Sequence, residues 1–138
     1  MSKQLAIELM ADLANLEKAD RAIAEFGGSM AWPEKTLSHV RLVVEELMMN
    51  IITHGSDREN VPRIRIRLAQ QDETLVMEVA DDGVAFDPLL TPPPDLDSSL
   101  DERRIGGLGV HLIRGLMDSV SYRREGGWNR LSATKTMN

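Results

Sequence analysis

Apolar positions along this chain repeat with two periods, and the switches between them mark out its elements. Leu5, Ile7 and Leu9 alternate with Ala6, Glu8 and Met10, which predicts a short strand with one apolar face. Asp12 stands where it can cap a helix running from Leu13 to about Phe26. Leu13, Leu16, Ile23 and Phe26 would face the core, and Gly27-Gly28 would end the helix. Trp32-Pro33 opens a second, longer helix that ends at His54-Gly55. Along it Leu37, Val40, Val44, Leu47, Met48 and Ile51 recur on one side, and Leu42, Met49 and Thr53 form a second strip. A helix that is apolar over most of its circumference is buried on more than one side.

After a polar connector the period falls to two. Arg63-Ile64-Arg65-Ile66-Arg67-Leu68 alternates strictly and predicts a half-buried strand. Its arginine row reads as a solvated sheet face, the alternative being a surface for an acidic partner. Gln70 to Glu73 is a turn, and Leu75, Met77, Val79 and Asp81 share one face of the next strand. Asp81-Asp82-Gly83 begins a loop that Phe86-Asp87-Pro88 extends, and Pro92 to Glu102, proline-rich, acidic and without period, suits a lid. Leu112, Ile113, Leu116 and Met117 return to helical spacing. Asp118 to Arg124 and Trp128 to Thr134 close the chain as a hairpin across Gly126-Gly127.

The 138 residues fit one domain, 1–138, with no internal repeat. A net charge of −6 argues against nucleic acid as a direct partner. With no cysteine there is neither a disulfide framework nor a thiolate metal site. No apolar run approaches the ~18 residues of a membrane span, and the first residues lack a signal-peptide pattern. A soluble cytoplasmic protein that does not engage a membrane is therefore expected.

Chemistry concentrates where polar residues interrupt apolar faces. Glu46 and Asn50 lie four apart on the long helix and share a face. A carboxylate and an amide there are costly unless they meet a partner, and a metal ion on a phosphate-rich ligand is such a partner. Asn50 can offer its carbonyl oxygen to Mg²⁺, and Glu46 can take a proton from an attacking hydroxyl. Glu45 lies off that face, four residues after Arg41, and suits a surface ion pair. Asp81 ends an apolar strand face, where a ligand donor such as the exocyclic amine of adenine would satisfy it. Gly83 would let a base lie close to the backbone. Gly106-Gly107-Leu108-Gly109-Val110 opens a helix, where free N–H groups and the positive helix end favour phosphate. His54 and His111 suit pocket-edge or capping roles, since no second ligand stands at zinc spacing.

These four pieces, in this order, resemble the GHKL ATPase superfamily, and most closely the bacterial anti-sigma factor serine/threonine kinases of the RsbW/SpoIIAB type. Glu46 to Gly55 is similar to the N box of that superfamily. Asp81 to Pro88 is similar to its first glycine box, and Gly106 to Ile113 to its second. Met117 to Arg124 and Asn129-Arg130-Leu131 also resemble this branch. The resemblance implies an α+β two-layer sandwich (the Bergerat fold), with a mixed, mainly antiparallel sheet and helices on one face. It implies ATP and Mg²⁺ between the sheet and the Glu46 helix, beneath a lid at about 88–105. Glu46 would be the catalytic base and Asn50 the Mg²⁺ ligand. Asp81, Gly83, Gly106, Gly107, Leu108, Gly109 and Val110 would bind ATP, with Arg103 or Arg104 reaching a phosphate. The implied activity is phosphorylation of a STAS-domain anti-anti-sigma protein, combined with sequestration of a sigma factor by a homodimer. The rival readings are a nucleotide-binding regulatory module without phosphotransfer and a detached histidine-kinase catalytic domain. His39 faintly resembles a phosphoacceptor box, but it shares a helix with the N box. Ala85 departs from the superfamily, which favours glycine there.

Overall fold

The computed structural model describes residues 3–55, 60–90 and 107–137. The elements, in order, are β1 (Gln4–Met10), α1 (Ala14–Ser29), α2 (Glu34–His54), β2 (Arg63–Gln71) and β3 (Thr74–Asp81). A short 3-10 turn (Pro88–Leu90), α3 (Gly107–Leu116), β4 (Ser119–Glu125) and β5 (Trp128–Thr136) follow. The strands form one sheet in the order β1-β2-β3-β5-β4. All four pairings are antiparallel. The last strand thus enters the sheet between β3 and β4.

The alternation in β2 does what its period requires. Ile64, Ile66 and Leu68 are buried beneath the helices, and Arg63, Arg65 and Arg67 are exposed on the other face. Two of the arginines find partners within that open face. Arg63 pairs with Asp82 and Arg65 with Glu8, and both lie over the Trp128 ring. On the covered face β3 adds Leu75, Met77 and Val79. The result is the expected α+β sandwich, with α1, α2 and α3 as its helical layer.

α2 is the central beam and packs on α1, α3 and β3. Val40, Val43, Val44, Leu47 and Met48 are buried along it, each contributing about 1.5–3 kcal/mol of apolar burial. Leu42 and Met49 are half-buried, and Thr53 is exposed. No helix among the described residues is long and apolar enough to cross a membrane.

Three expectations change. Leu13 is 63% exposed rather than core-facing, because α1 starts at Ala14 and Leu13 lies ahead of its first turn. Asp12 does accept from the Asn15 N–H at 3.2 Å, as a cap would. The Gly27-Gly28 pair does not stop α1, which runs to Ser29. Gly27 is there for packing: a Cβ would come 2.7 Å from Leu37 Cδ1 and 2.8 Å from the Trp32 ring. Trp32 itself packs edge-on to Phe26, at 5.5 Å between centroids. Arg41 does not pair with Glu45. It makes two 2.7 Å bonds to Asp20 on α1 and so ties the two helices together.

The final hairpin turns as its sequence predicts. Gly126 and Gly127 have φ of 59° and 81°, the left-handed values that a two-residue turn between twisted strands requires.

Candidate functional site

A narrow cleft opens between the C-terminal half of α2 and the sheet. Leu47, Asn50 and Ile51 line it from α2, and Val79 and Asp81 from β3. Phe86 and Pro88 close one side, and Tyr122, Asn129 and Leu131 come from β4 and β5. Most of these side chains are apolar or aromatic, with a few convergent polar groups, the composition of a small-molecule site.

The sheet wall is built around Asp81, which is only 5% exposed. Its Oδ2 accepts from the Gly83 N–H and from Asn129 Nδ2, both at 3.0 Å. Burial pushes the Asp81 carboxyl above the usual carboxylate range, against the pull of these two donors and of Arg124. Asn129 also donates to the Val84 carbonyl at 2.9 Å, and its Oδ1 accepts from the Phe86 N–H at 3.2 Å and from the Tyr122 hydroxyl. The loop after β3 is thereby pinned to β5. It is also pinned to the end of α2, because the Val84 N–H donates to the Gly55 carbonyl at 3.1 Å. Gly83 is required by this crossing: a Cβ there would run into the Gly55 carbonyl oxygen. Gly83 thus shapes the floor behind Asp81 and does not itself line the cleft.

The helix wall is less complete. Asn50 faces the cleft half-buried, and its Nδ2 is buried with no hydrogen-bond partner among the described residues. Glu46, one turn earlier, is half-buried, and burial first, then the neighbouring Glu45 charge, raises its carboxyl pKa. Glu46 does not line the cleft; Asn50 and Asp81 both do. At the rim His54 stacks on Phe86, with centroids 4.5 Å apart and planes 18° apart, the edge position expected for this histidine. His111 is exposed on α3.

Of the expected lid at about 88–105, residues 91–105 lie outside the described residues; Pro88–Leu90 forms a 3-10 turn, and the Arg114 guanidinium of α3 donates to the Leu89 carbonyl at 3.0 Å. Arg103, Arg104 and Gly106 lie outside the described residues. Gly107, Leu108, Gly109 and Val110 form the first turn of α3 itself, rather than a loop ahead of it. At the other end of α3 the Lys135 ammonium donates to the Leu116 carbonyl at 2.7 Å, a cation on the negative helix end.

A family model described as "Histidine kinase-like ATPase domain" matches residues 9–135. The chain belongs to this family. Its sequence is 33% identical over 103 residues to the serine/threonine-protein kinase BtrW of Bordetella bronchiseptica, covering 75% of this chain and 72% of that one. It is 31% identical over 96 residues to the serine-protein kinase RsbW of Staphylococcus aureus, covering 66% of this chain and 60% of RsbW. Among solved structures, the RsbU and RsbW domains of Rv1364c from Mycobacterium tuberculosis share the fold. The TM-score is 0.71 at 14% identity, over 98% of this chain and 32% of that one. The histidine kinase domain of the blue-light activated kinase from Erythrobacter litoralis EL346 shares it too. There the TM-score is 0.54 at 20% identity, over 90% of this chain and 60% of that one.

Magnesium fits the donor set in a limited sense. Among the described residues no three His, Cys, Asp or Glu side chains gather into a metal cluster. Mg²⁺ on a triphosphate needs only one or two protein oxygens. The Asn50 carboxamide, unanchored at its nitrogen end, can present its oxygen without breaking a bond there.

Asn129 and Tyr122 line the cleft without being marked by the sequence pattern. Asn129 faces Asp81 because β5 pairs with β3 in the register Asp81↔Asn129. The position of Asn129, two residues past a glycine turn on an alternating strand, marks its face, but the pairing that gives it meaning is non-local.

Proposed function

We propose that this chain is an ATP-dependent serine/threonine protein kinase that also acts as an anti-sigma factor in a partner switch. Its phosphoacceptor would be a STAS-domain anti-anti-sigma protein, its other partner a sigma factor, and its working form a cytoplasmic homodimer. The observation that carries this reading is the meeting of Asn50 and Asp81 across one apolar cleft, in a chain 33% identical to a serine/threonine-protein kinase.

Asp81 would accept the exocyclic amine of adenine, and Val79, Leu131 and Ile51 would cover the base. Asn50 would hold the magnesium of the bound nucleotide. The first turn of α3, Gly107 to Val110, would present N–H groups to phosphate, with Gly106 and Arg104 beside it. Bound Mg-ATP supplies the phosphoryl group and neutralises charge as it transfers. Glu46 would accept the proton of the attacking hydroxyl; a carboxyl held above its ordinary pKa is a stronger base once ionised.

Incubating the chain with labelled ATP and a STAS protein encoded beside it tests the reading. Acid-stable label on a serine or threonine of the STAS protein is expected. A wild-type chain that binds ATP and transfers nothing would make it a nucleotide-binding module, a reading that the absence of Glu46 from the cleft lining favours. An acid-labile phosphohistidine would point to a detached histidine-kinase domain. Against that, His39 is half-buried within α2, and its Nδ1 is buried without a hydrogen-bond partner among the described residues.

A further inference from the structure

We propose that Asn129 is a positioning residue that decides which purine edge the cleft accepts. This rests on the nucleotide reading above.

The argument starts from the orientation of one carboxamide. Its two ends are assigned by partners that admit no choice. The Phe86 N–H can only donate, so the atom 3.2 Å from it is the oxygen. The Val84 carbonyl can only accept, so the atom 2.9 Å from it is the nitrogen. The second hydrogen of that nitrogen then points to Asp81 Oδ2, 3.0 Å away. With the Tyr122 hydroxyl on its oxygen, the side chain has filled its hydrogen-bonding capacity.

The consequence falls on Asp81. Oδ2 receives two N–H donors, from Asn129 and Gly83. Such donors favour the ionised carboxyl against its burial. They also occupy this oxygen, and among the described residues Oδ1 takes part in no hydrogen bond. Asp81 therefore offers the cleft one free acceptor. That acceptor suits a purine carrying an amine at position 6 and repels one carrying an oxygen there. The same carboxamide holds Val84 and Phe86, so the acidic edge and the apolar cover of the cleft are set by one side chain.

Asn129→Asp is nearly isosteric but places a second carboxyl against Asp81 Oδ2. Two carboxyls at this separation do not both ionise near neutral pH, and the pair holds a proton. With that proton on Asp81 its carboxyl is neutral, and the free Oδ1 accepts more weakly and no longer repels an oxygen at position 6. Asn129→Ala instead removes the amide donor from Asp81 and adds nothing.

The test uses the full chain, ATP and inosine triphosphate, whose base differs from adenine by an oxygen at position 6. Dissociation constants are measured by calorimetry between pH 6 and pH 8.5 with magnesium present. Wild type should prefer ATP by about tenfold or more. Asn129→Asp should reduce the ATP-to-inosine preference by about tenfold at pH 6 and regain it as pH rises and the shared proton leaves. Asn129→Ala should reduce the preference at every pH. Either variant decides alone if the other does not fold. A variant that weakens both nucleotides equally, with the preference unchanged, overturns the inference and leaves Asn129 a structural residue; the nucleotide reading then survives. If wild type binds neither nucleotide, both fall.

Discussion

The two walls of the cleft are opposites. On the sheet wall Asp81, Asn129 and Tyr122 bond to one another and to the backbone of Gly83, Val84 and Phe86. On the helix wall Asn50 leaves a buried donor unused; one turn away, off the cleft lining, Glu46 carries a burial penalty with no ion pair among the described residues. The first wall is bonded throughout in the free protein except at Asp81 Oδ1. The second leaves the Asn50 amide for whatever enters the cleft. A buried polar network that is satisfied contributes to stability, and one that is not lowers it. The sheet wall therefore belongs to the fold as well as to the ligand, and the helix wall chiefly to the ligand and its chemistry.

Variants can break this contrast. The largest effect is expected at Glu46. Glu46→Ala should lower phosphotransfer to a STAS protein by roughly 10²–10⁴-fold, the range of a lost general base, while ATP still raises the melting temperature. Single-turnover transfer near the wild-type rate would show that the base lies elsewhere. Next comes the sheet wall. Asp81→Leu strands the Asn129 and Gly83 donors and should cost about 2–4 kcal/mol in denaturant unfolding. Asp81→Asn can keep both bonds through its oxygen and should cost little, yet it turns the free acceptor into a donor and should abolish ATP stabilisation. Equal stability for the two variants would mean that the network is not what holds this wall.

A smaller effect is expected at Asn50. Asn50→Leu removes an unpaired donor, so the free protein should change by less than about 1 kcal/mol. ATP at ~100 times its dissociation constant adds roughly 2.7 kcal/mol to a competent protein. In Asn50→Leu the magnesium-dependent part of that gain should vanish, as thermal melts with magnesium or with a chelator would show. A large loss of stability without ligand would make Asn50 a structural residue. The smallest effect is on pH dependence. Asp81 and Glu46 both have raised folded pKa values. Each therefore binds more protons folded than unfolded between its ordinary and its raised value. Their contribution to stability is present below the ordinary carboxylate range and is lost as pH rises through the raised values. Subtracting the Asp81→Asn profile from that of wild type should isolate a difference that falls with rising pH; a difference that rises would contradict the stated environment of Asp81.

The two walls also differ in how far the sequence exposes them. Glu46 and Asn50 stand out on one strip of α2 because most of the helix around them is apolar. Asp81 stands out because it prolongs the face of Leu75, Met77 and Val79. In each case a local period shows which side of an element is covered, and a polar residue on that side asks for a partner. Asn129 carries no such mark, because its partner lies 48 residues away in sequence and meets it only through the pairing of β5 with β3. Gly27 was misread for a related reason. A glycine pair usually ends a helix, but here the absent Cβ makes room for Trp32 and Leu37. Arg41 offered a partner one turn away and took Asp20 on another helix. Local pattern assigns faces; only the assembled tertiary contacts assign partners.

One contact has a consequence for how this fold can vary. The Arg114 guanidinium on the Leu89 carbonyl fastens the residues before the 91–106 segment to the helix that follows it. The place of Leu89 against α3 is therefore set by this bond and not left to the chain that joins them, so a change in the length of that chain need not reach the sheet.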